Sequence, residues 1–229
     1  MSRLEKFFAF LILGHEQTKL QIVCALLILA LLSNCGITPY YTVAPIDAQV
    51  VDFDTKLPID GALVVANWQL IIHDLHGEQR RGQLEVKETI TDESGRFHFN
   101  GFTKLNSMVY GLGAQDPKII IFKAGYAYSR IANNHTNTGA YRKAGVNGTV
   151  IKLKKLTPVV VAKNRTYYSG LSFEMRPLVE DCEWRKISRM ILAMEFERLR
   201  ITAIEPEATV DVFPIEEFER SKSECRWGL

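Results

Sequence analysis

Two groups of polar side chains in this chain have the residue types that bind metal ions. His73, His76 and Glu78 lie within one short segment, and imidazole and carboxylate groups are common zinc ligands. No fourth ligand is evident beside them, and the segment His73–Gln83 is mostly polar. We therefore expect a solvated loop without a metal ligand. The alternative is a small hydrolase or metal-dependent enzyme that uses the loop His73–Glu78.

The second group consists of four aspartates near the ends of predicted strands. Asp52, Asp54, Asp60 and Asp92 offer the carboxylate oxygens that calcium prefers. Aspartate is also favoured in turns, because its side chain accepts hydrogen bonds from backbone amides one to three residues further along. We favour turn formation for these residues and expect neither a bound metal nor a cofactor.

Nucleophilic catalysis finds no support in the sequence. It contains no Gly-x-Ser-x-Gly elbow, phosphate-binding glycine loop or dinucleotide fingerprint. Cys182 and Cys225 have no histidine nearby in sequence to activate them as nucleophiles. In an exported compartment the two thiols would form a disulfide, and two buried thiols are the alternative. We predict the Cys182–Cys225 disulfide, no catalytic residue and no enzymatic activity.

The amino terminus indicates where the protein resides. Ile22–Leu32 is an unbroken apolar run of 11 residues, which is the length of a signal peptide core and short for a membrane-spanning helix. The following Leu-Ser-Asn-Cys sequence, ending at Cys35, resembles the bacterial lipobox, in which the cysteine is lipidated and becomes the first residue. This resemblance implies a signal peptide at 1–34 and lipidation of Cys35. An uncleaved, membrane-inserted terminus is the alternative.

The same resemblance implies a location in the cell envelope. Gly36, rather than aspartate, follows the cysteine, and this resembles the pattern of lipoproteins sent to the outer membrane. We expect a protein that faces the periplasm, with the outer membrane preferred and the membrane itself as a partner through the lipid. Nucleic acid is not an expected partner, because the formal charge of the whole chain is only +2.

Alternating apolar residues and regularly spaced turn formers predict an all-β domain. After a proline-containing tether at 35–46, short strands separated by turns and loops continue to residue 156, without helices between them. Leu84, Val86 and Ile90 share one face of a strand on which Glu88 is an exception, and this exception suggests a sheet edge. We expect an antiparallel β-sandwich at 47–156.

Three motifs within this range carry a resemblance to a known family. They are Val-Val-Asp-Phe-Asp-Thr-Lys-Leu-Pro-Ile-Asp-Gly-Ala at 50–62, Thr-Asp-Glu-Ser-Gly-Arg-Phe-His-Phe at 91–99 and Phe-Lys-Ala-Gly-Tyr at 122–126. In this order they resemble the signatures of the carboxypeptidase regulatory-like domain. The resemblance implies a seven-stranded, transthyretin-like (prealbumin-like) sandwich that accompanies a peptidase and performs no chemistry itself.

The remainder, 157–229, lies outside this resemblance and is predicted to contain a helix at about 180–203. Trp184, Ile187, Ile191 and Met194 recur at helical spacing, with Met190 and Leu199 beside them. We expect this apolar stripe to pack on the sandwich, and a partner-binding helix is the alternative.

Together these features predict a non-catalytic envelope lipoprotein whose sandwich serves as a binding or assembly module. An envelope protein is the expected partner. The alternatives are a ligand-carrying or sensory envelope protein, with the segment 133–148 as its recognition surface, and the enzyme described above.

Overall fold

The computed structural model of the protein describes residues 40–106, 110–113, 115–133, 139–157, 167–180 and 182–204, together with Gln21 and Pro206. The chain divides into two units between Thr38 and Pro39, and the fold described below belongs to the second unit. Cys35 and Cys225 lie outside the described residues, so lipidation and the disulfide stay predictions. Within the described ranges, no helix is long and apolar enough to cross a membrane.

The described part of the chain is mainly β-structure followed by helices. Its strands are β1 (Tyr40–Val43), β2 (Ile46–Asp52), β3 (Leu63–Asp74), β4 (Gly77–Ile90), β5 (Arg96–Phe99), β6 (Phe102–Leu105), β7 (Gly111–Leu112), β8 (Lys118–Phe122), β9 (Ser129–Ile131), β10 (Tyr141–Arg142) and β11 (Val150–Leu153). Helix α1 (Tyr167–Glu180), a 3₁₀ turn (Glu183–Ile187) and helix α2 (Ser188–Ile204) follow.

The strands form three hydrogen-bonded sheets. Their strand orders are β10-β1-β6, β11-β2-β5 and β4-β3-β8-β9, with β7 also pairing to β3. The first two sheets face the third across a common apolar core. Apolar residues alternate along the strands of the β11-β2-β5 sheet and form its inner face. Ile46, Ala48 and Val50 of β2 point inward, as do Phe97 and Phe99 of β5. The predicted all-β sandwich with a helical extension is confirmed.

The third sheet is buried on both of its faces. Val64, Ala66 and Trp68 of β3 belong to the sandwich core, whereas Leu63 and Val65 belong to a second apolar cluster that includes both helices. The fold therefore has three layers: the two outer sheets, the central β4-β3-β8-β9 sheet, and the helices. This layering explains the continuous apolar run of β3, since alternation disappears where a strand is covered on both sides.

The helices pack on the central sheet as the apolar stripe predicts. Ile187, Met190 and Met194 are fully buried in the second cluster, and Trp184 packs against it. The helix expected at about 180–203 is interrupted, because Cys182 adopts a left-handed conformation (φ 62°) between α1 and the 3₁₀ turn. Leu199, expected beside the stripe, is exposed instead. Helix α1 was not predicted.

Two segments and two strand pairings differ from the expectation. The segment His73–Gln83 is the end of a β3–β4 hairpin, with Leu75 and His76 in its turn, and not a loop. Within the expected tether 35–46, Tyr40–Val43 forms β1, and Tyr41 and Val43 are buried in the core. Two pairings are parallel, β1 with β10 and β2 with β11, although the expected sandwich was antiparallel.

Candidate functional site

The three sequence motifs meet at one end of the sandwich, and this meeting point is called the motif junction below. The first and second motifs are joined by backbone hydrogen bonds from Val50 N to Gly95 O (2.7 Å) and from Gly61 N to Thr91 O (3.0 Å). The third motif joins them through a hydrogen bond between the side chains of Tyr126 and Asp52.

Thr91 links the two sides of the junction through its buried hydroxyl group. Its Oγ1 donates to Ile59 O and accepts from Ala62 N, each at 2.7 Å. The hydroxyl therefore satisfies two backbone groups of a turn that has no regular strand partner there. A buried backbone group without such a partner would lower stability.

The aspartates of the junction serve its turns. Asp52 Oδ1 accepts hydrogen bonds from Asp54 N and Thr55 N, each at 2.9 Å. Asp92 Oδ1 accepts from Ser94 N and Arg96 N at 2.9 Å and from the Ser94 hydroxyl at 2.7 Å.

These bonds favour the ionised carboxylates. The pKa of Asp52 is lowered first by the Thr55 backbone bond, and the pKa of Asp92 is lowered first by the Ser94 side-chain bond. The four aspartates singled out for calcium do not converge, because the described residues contain no group of three or more metal-ligating side chains suited to an ion.

Gly95 is the position where the junction leaves no space for a side chain. Its φ is +70°, and a Cβ atom there would lie 2.4 Å from Val50 O and 3.1 Å from Ile59 N. Both neighbours are backbone atoms that the junction holds in place. The second motif therefore requires glycine for its conformation and for the close approach of the first motif.

The junction is also connected to the helices. Buried Glu197 of α2 accepts a hydrogen bond from Gly125 N in the third motif (3.0 Å) and pairs with Arg200. Glu88 of β4 accepts from Met190 N (2.7 Å) and Arg189 N (3.3 Å) at the start of α2. Burial raises the pKa of Glu88. Glu88 lies on an outer strand, as its exceptional position in the pattern suggested, and it caps a helix there.

The opposite end of the sandwich contains a buried ion pair, Asp116 with Arg142, at 3.2 Å. Arg142 also lies 4.8 Å from the centre of the Tyr41 ring, and Asn133 Nδ2 donates to Asp116 O (2.6 Å). Burial raises the pKa of Asp116 to about 6, although the Arg142 charge opposes this shift. The two residues of this ion pair are 26 positions apart, and no local sequence pattern predicts that they meet.

His98 is a second feature that sequence reasoning missed. Its Nδ1 lies 2.7 Å from Asp47 Oδ1 and its Nε2 lies 2.8 Å from Asn100 Oδ1, and the Asp47 bond is the main cause of its raised pKa. A catalytic histidine needs one ring nitrogen facing a nucleophile or substrate, and both nitrogens here contact side-chain oxygens. A depression of about 210 Å³ lies nearby, between Asp47, Arg96 and Thr149. It is smaller than typical small-molecule pockets.

The three residues of the alternative metal-site hypothesis, His73, His76 and Glu78, lie at the tip of the β3–β4 hairpin. His73 and Glu78 are register partners across the hairpin, and His76 lies in its turn, where its backbone amide donates to Asp74 Oδ1. All three are exposed. The hairpin thus brings them near each other in solvent and builds no enclosed site around them.

An apolar row on α2 faces solvent, opposite the side that packs on the central sheet. It consists of Leu192, Phe196 and Leu199, which are 52%, 68% and 49% exposed. Their spacing of four and three residues places them on one face of the helix. This row is called the α2 stripe below.

The chain matches no known protein family, and no curated protein matches it in sequence. Among solved structures it is similar to a 3-chlorocatechol 1,2-dioxygenase from Rhodococcus opacus, at 15% identity and a TM-score of 0.29, over 51% of this chain and 61% of that one.

A streptococcal ancillary pilin is 17% identical with a TM-score of 0.24, over 49% of this chain and 29% of the pilin. The pilus 2b backbone protein of group B streptococcus is 14% identical with a TM-score of 0.27, over 51% and 43% of the two chains. The chain spans less than two thirds of each of these three proteins, and TM-scores this low carry no argument about function.

Proposed function

We propose that this chain is a non-catalytic envelope lipoprotein in which a carboxypeptidase regulatory-like, transthyretin-like sandwich acts as an assembly module. The observation that carries the proposal is the motif junction. Its recognisable polar side chains, Asp52, Thr91, Asp92 and Tyr126, are engaged with one another or with turn backbone. Side chains that bond to turn backbone in this way specify a scaffold.

The α2 stripe is the surface that we assign to the partner. Its three large apolar side chains lie on a helix fixed to the scaffold by Glu88 and Glu197. Contiguous exposed apolar residues of this kind are typical of protein interaction sites. The partner is an envelope protein with its own apolar row. Exposed Arg189 next to the stripe favours a partner with a carboxylate beside that row.

Anchoring by lipid is tested separately from partner binding. Cys35→Ala in the full chain is expected to abolish acylation, measured by mass spectrometry, and to release the protein from membranes. Retention of both acylation and membrane attachment in Cys35→Ala would overturn the lipoprotein assignment. Several acyl chains on one cysteine give stable attachment, since each buried methylene contributes about 0.8 kcal/mol.

Partner binding is tested by crosslinking in intact cells. A photoreactive phenylalanine analogue at position 196 is expected to give one defined crosslinked product. The product should disappear when Leu192→Ser and Leu199→Ser are introduced together, and it should persist with the control pair Leu75→Ser and Val150→Ser, which are exposed elsewhere. Equal crosslinking in both double variants, with circular dichroism confirming that each is folded, would refute the assignment of α2.

A further inference from the structure

A second exposed apolar surface lies on the outer face of the β10-β1-β6 sheet. Strand register places Tyr40 opposite Leu105, and places Thr42 between Thr103 and Tyr141. Tyr40, Leu105 and Tyr141 are 47%, 82% and 54% exposed. They are called the Tyr40 patch below. The intervening residues Tyr41 and Val43 point into the core, so the patch faces directly away from the sandwich.

We propose that the Tyr40 patch rests on the surface of the phospholipid bilayer in which the lipid on Cys35 is anchored. This inference rests on the proposed lipidation. Its first support is the shortness of the connection, because five peptide units join Cys35 to Tyr40 and span at most about 17 Å when extended. The strand that begins at Tyr40 is therefore held close to the bilayer.

The layer order determines which face meets the lipid. The β10-β1-β6 sheet and the central sheet share the sandwich core, and the helices cover the far side of the central sheet. Packed sheets lie about 10 Å apart, and a helix with its side chains is about 10 Å thick, so the α2 stripe lies more than about 20 Å from the Tyr40 side. If the layers lay parallel to the membrane with the α2 stripe facing it, Tyr40 would stand more than about 20 Å from the bilayer, farther than the connection of about 17 Å reaches.

The chemistry of the patch suits a bilayer surface. Tyrosine is enriched where membrane and water meet, because its ring is apolar and its hydroxyl group can remain hydrated. Lys143 Nζ lies 5.7 Å from the centre of the Tyr141 ring and is exposed, so an ammonium group accompanies the aromatic side chain. An ammonium group there can contact anionic headgroups. The α2 stripe then faces away from the membrane, where a protein partner can reach it.

The test uses the acylated full chain in vesicles of phosphatidylethanolamine and phosphatidylglycerol (3:1). A nitrobenzoxadiazole label is attached to Leu105→Cys in one sample and to Leu192→Cys, in the α2 stripe, in the matched control. Both positions are exposed, so each substitution leaves the core unchanged. Labelled chain without an added cysteine provides the background signal from native cysteines.

Nitroxide-labelled lipid is expected to quench the label at position 105 severalfold more strongly than the label at 192, and aqueous iodide should show the reverse order. Equal accessibility of the two labels, or stronger lipid quenching at 192, would overturn the inference. Mass spectrometry of the amino-terminal peptide separates the two proposals. Acylated Cys35 with an iodide-accessible position 105 overturns this inference alone, whereas unmodified Cys35 in released protein overturns the lipid anchor and this inference together.

Discussion

The two ends of the sandwich are closed by different chemistry. At the motif junction, turn amides donate hydrogen bonds to backbone carbonyl groups and to the carboxylates of Asp52 and Asp92, and Gly95 allows two chain segments to touch. At the other end, the buried pair of Asp116 and Arg142 holds β10 against the segment that leads into β8. Turn chemistry is local and therefore readable in the sequence. A buried ion pair depends on a partner brought from elsewhere in the chain.

Removing one charge of the buried pair should cause the largest loss of stability. Arg142→Met leaves the Asp116 carboxylate buried without its cation, and we expect the free energy of unfolding at pH 7 to fall by about 3–5 kcal/mol. The loss should be smaller at pH 5, because protonation can then neutralise Asp116. Urea unfolding at both pH values measures it.

The matched control for this change is the double variant Arg142→Met with Asp116→Asn. It removes both charges, and it should be more stable at pH 7 than Arg142→Met alone. A double variant that is no more stable than the single one would mean that the loss comes from packing around Tyr41 and not from charge.

Gly95→Ala should have the next largest effect, at the junction end. The new Cβ atom would combine a strained positive φ with a backbone contact at 2.4 Å, and we expect a loss of about 3 kcal/mol in unfolding free energy. Gly82→Ala is the control, since its φ is also positive (+93°) and nothing lies within 4 Å of the added atom. Conformational strain alone should cost about 1 kcal/mol there. Equal losses in the two variants would contradict the close approach in the junction.

Thr91→Val should have an intermediate effect. The substitution keeps the shape of the side chain and removes the hydroxyl that serves Ile59 O and Ala62 N, so we expect a loss of about 2 kcal/mol. Thr91→Ser keeps the hydroxyl and should lose less. If Thr91→Ser were the more destabilised variant in thermal unfolding, the methyl group and not the hydroxyl would be the stabilising part.

The smallest expected effect is a difference between the two ends of the sandwich in how their stability depends on pH. The pKa of Asp116 is about 6 in the folded protein against an ordinary value of 3.8, so the folded state binds more protons between these values. Stability from this group is therefore lost as pH rises from about 4 to about 6. Asp52 and Asp92, whose pKa values are lowered, contribute stability above their ordinary pKa that is lost as pH falls through their folded values.

Asp116→Asn should remove the first dependence and leave the second. Melting temperatures measured from pH 3 to 7 are expected to change less between pH 4 and 6 in the variant than in the native chain. An unchanged slope in Asp116→Asn would show that another group titrates in this range.

The parts of the fold that follow from local sequence patterns could be predicted, and the parts that depend on contacts between distant residues could not. The strands β2, β3, β5 and β8 could be recognised because their apolar residues either alternate or form continuous runs, and the turns between them contain Pro58, Gly61 and Gly95. The short strands β1, β6, β7 and β10 were missed. They lie in polar or proline-containing segments, and only pairing with distant strands makes them extended.

The candidate site was predictable to a similar extent. The turn role of Asp52 and Asp92 follows from local chemistry, and the structure shows it. Three other contacts join residues that lie far apart in sequence. They are Tyr126 with Asp52, Glu88 with the start of α2, and His98 with Asp47. The spacing of residues in the sequence does not predict any of these three contacts. The residue types of His73, His76 and Glu78 are those of metal ligands, and the structure places the three residues at an exposed hairpin tip.

The double-sided burial of the central sheet has a consequence for where this domain ends. A resemblance limited to the strands would place its end near residue 156, yet Leu63, Val65 and Phe122 are covered by α1 and α2. A chain shortened at that point would present a broad apolar sheet face to water and would tend to self-associate. Removing the helices without exposing this face would require polar residues at these strand positions, so the helices are part of the same folding unit as the sandwich.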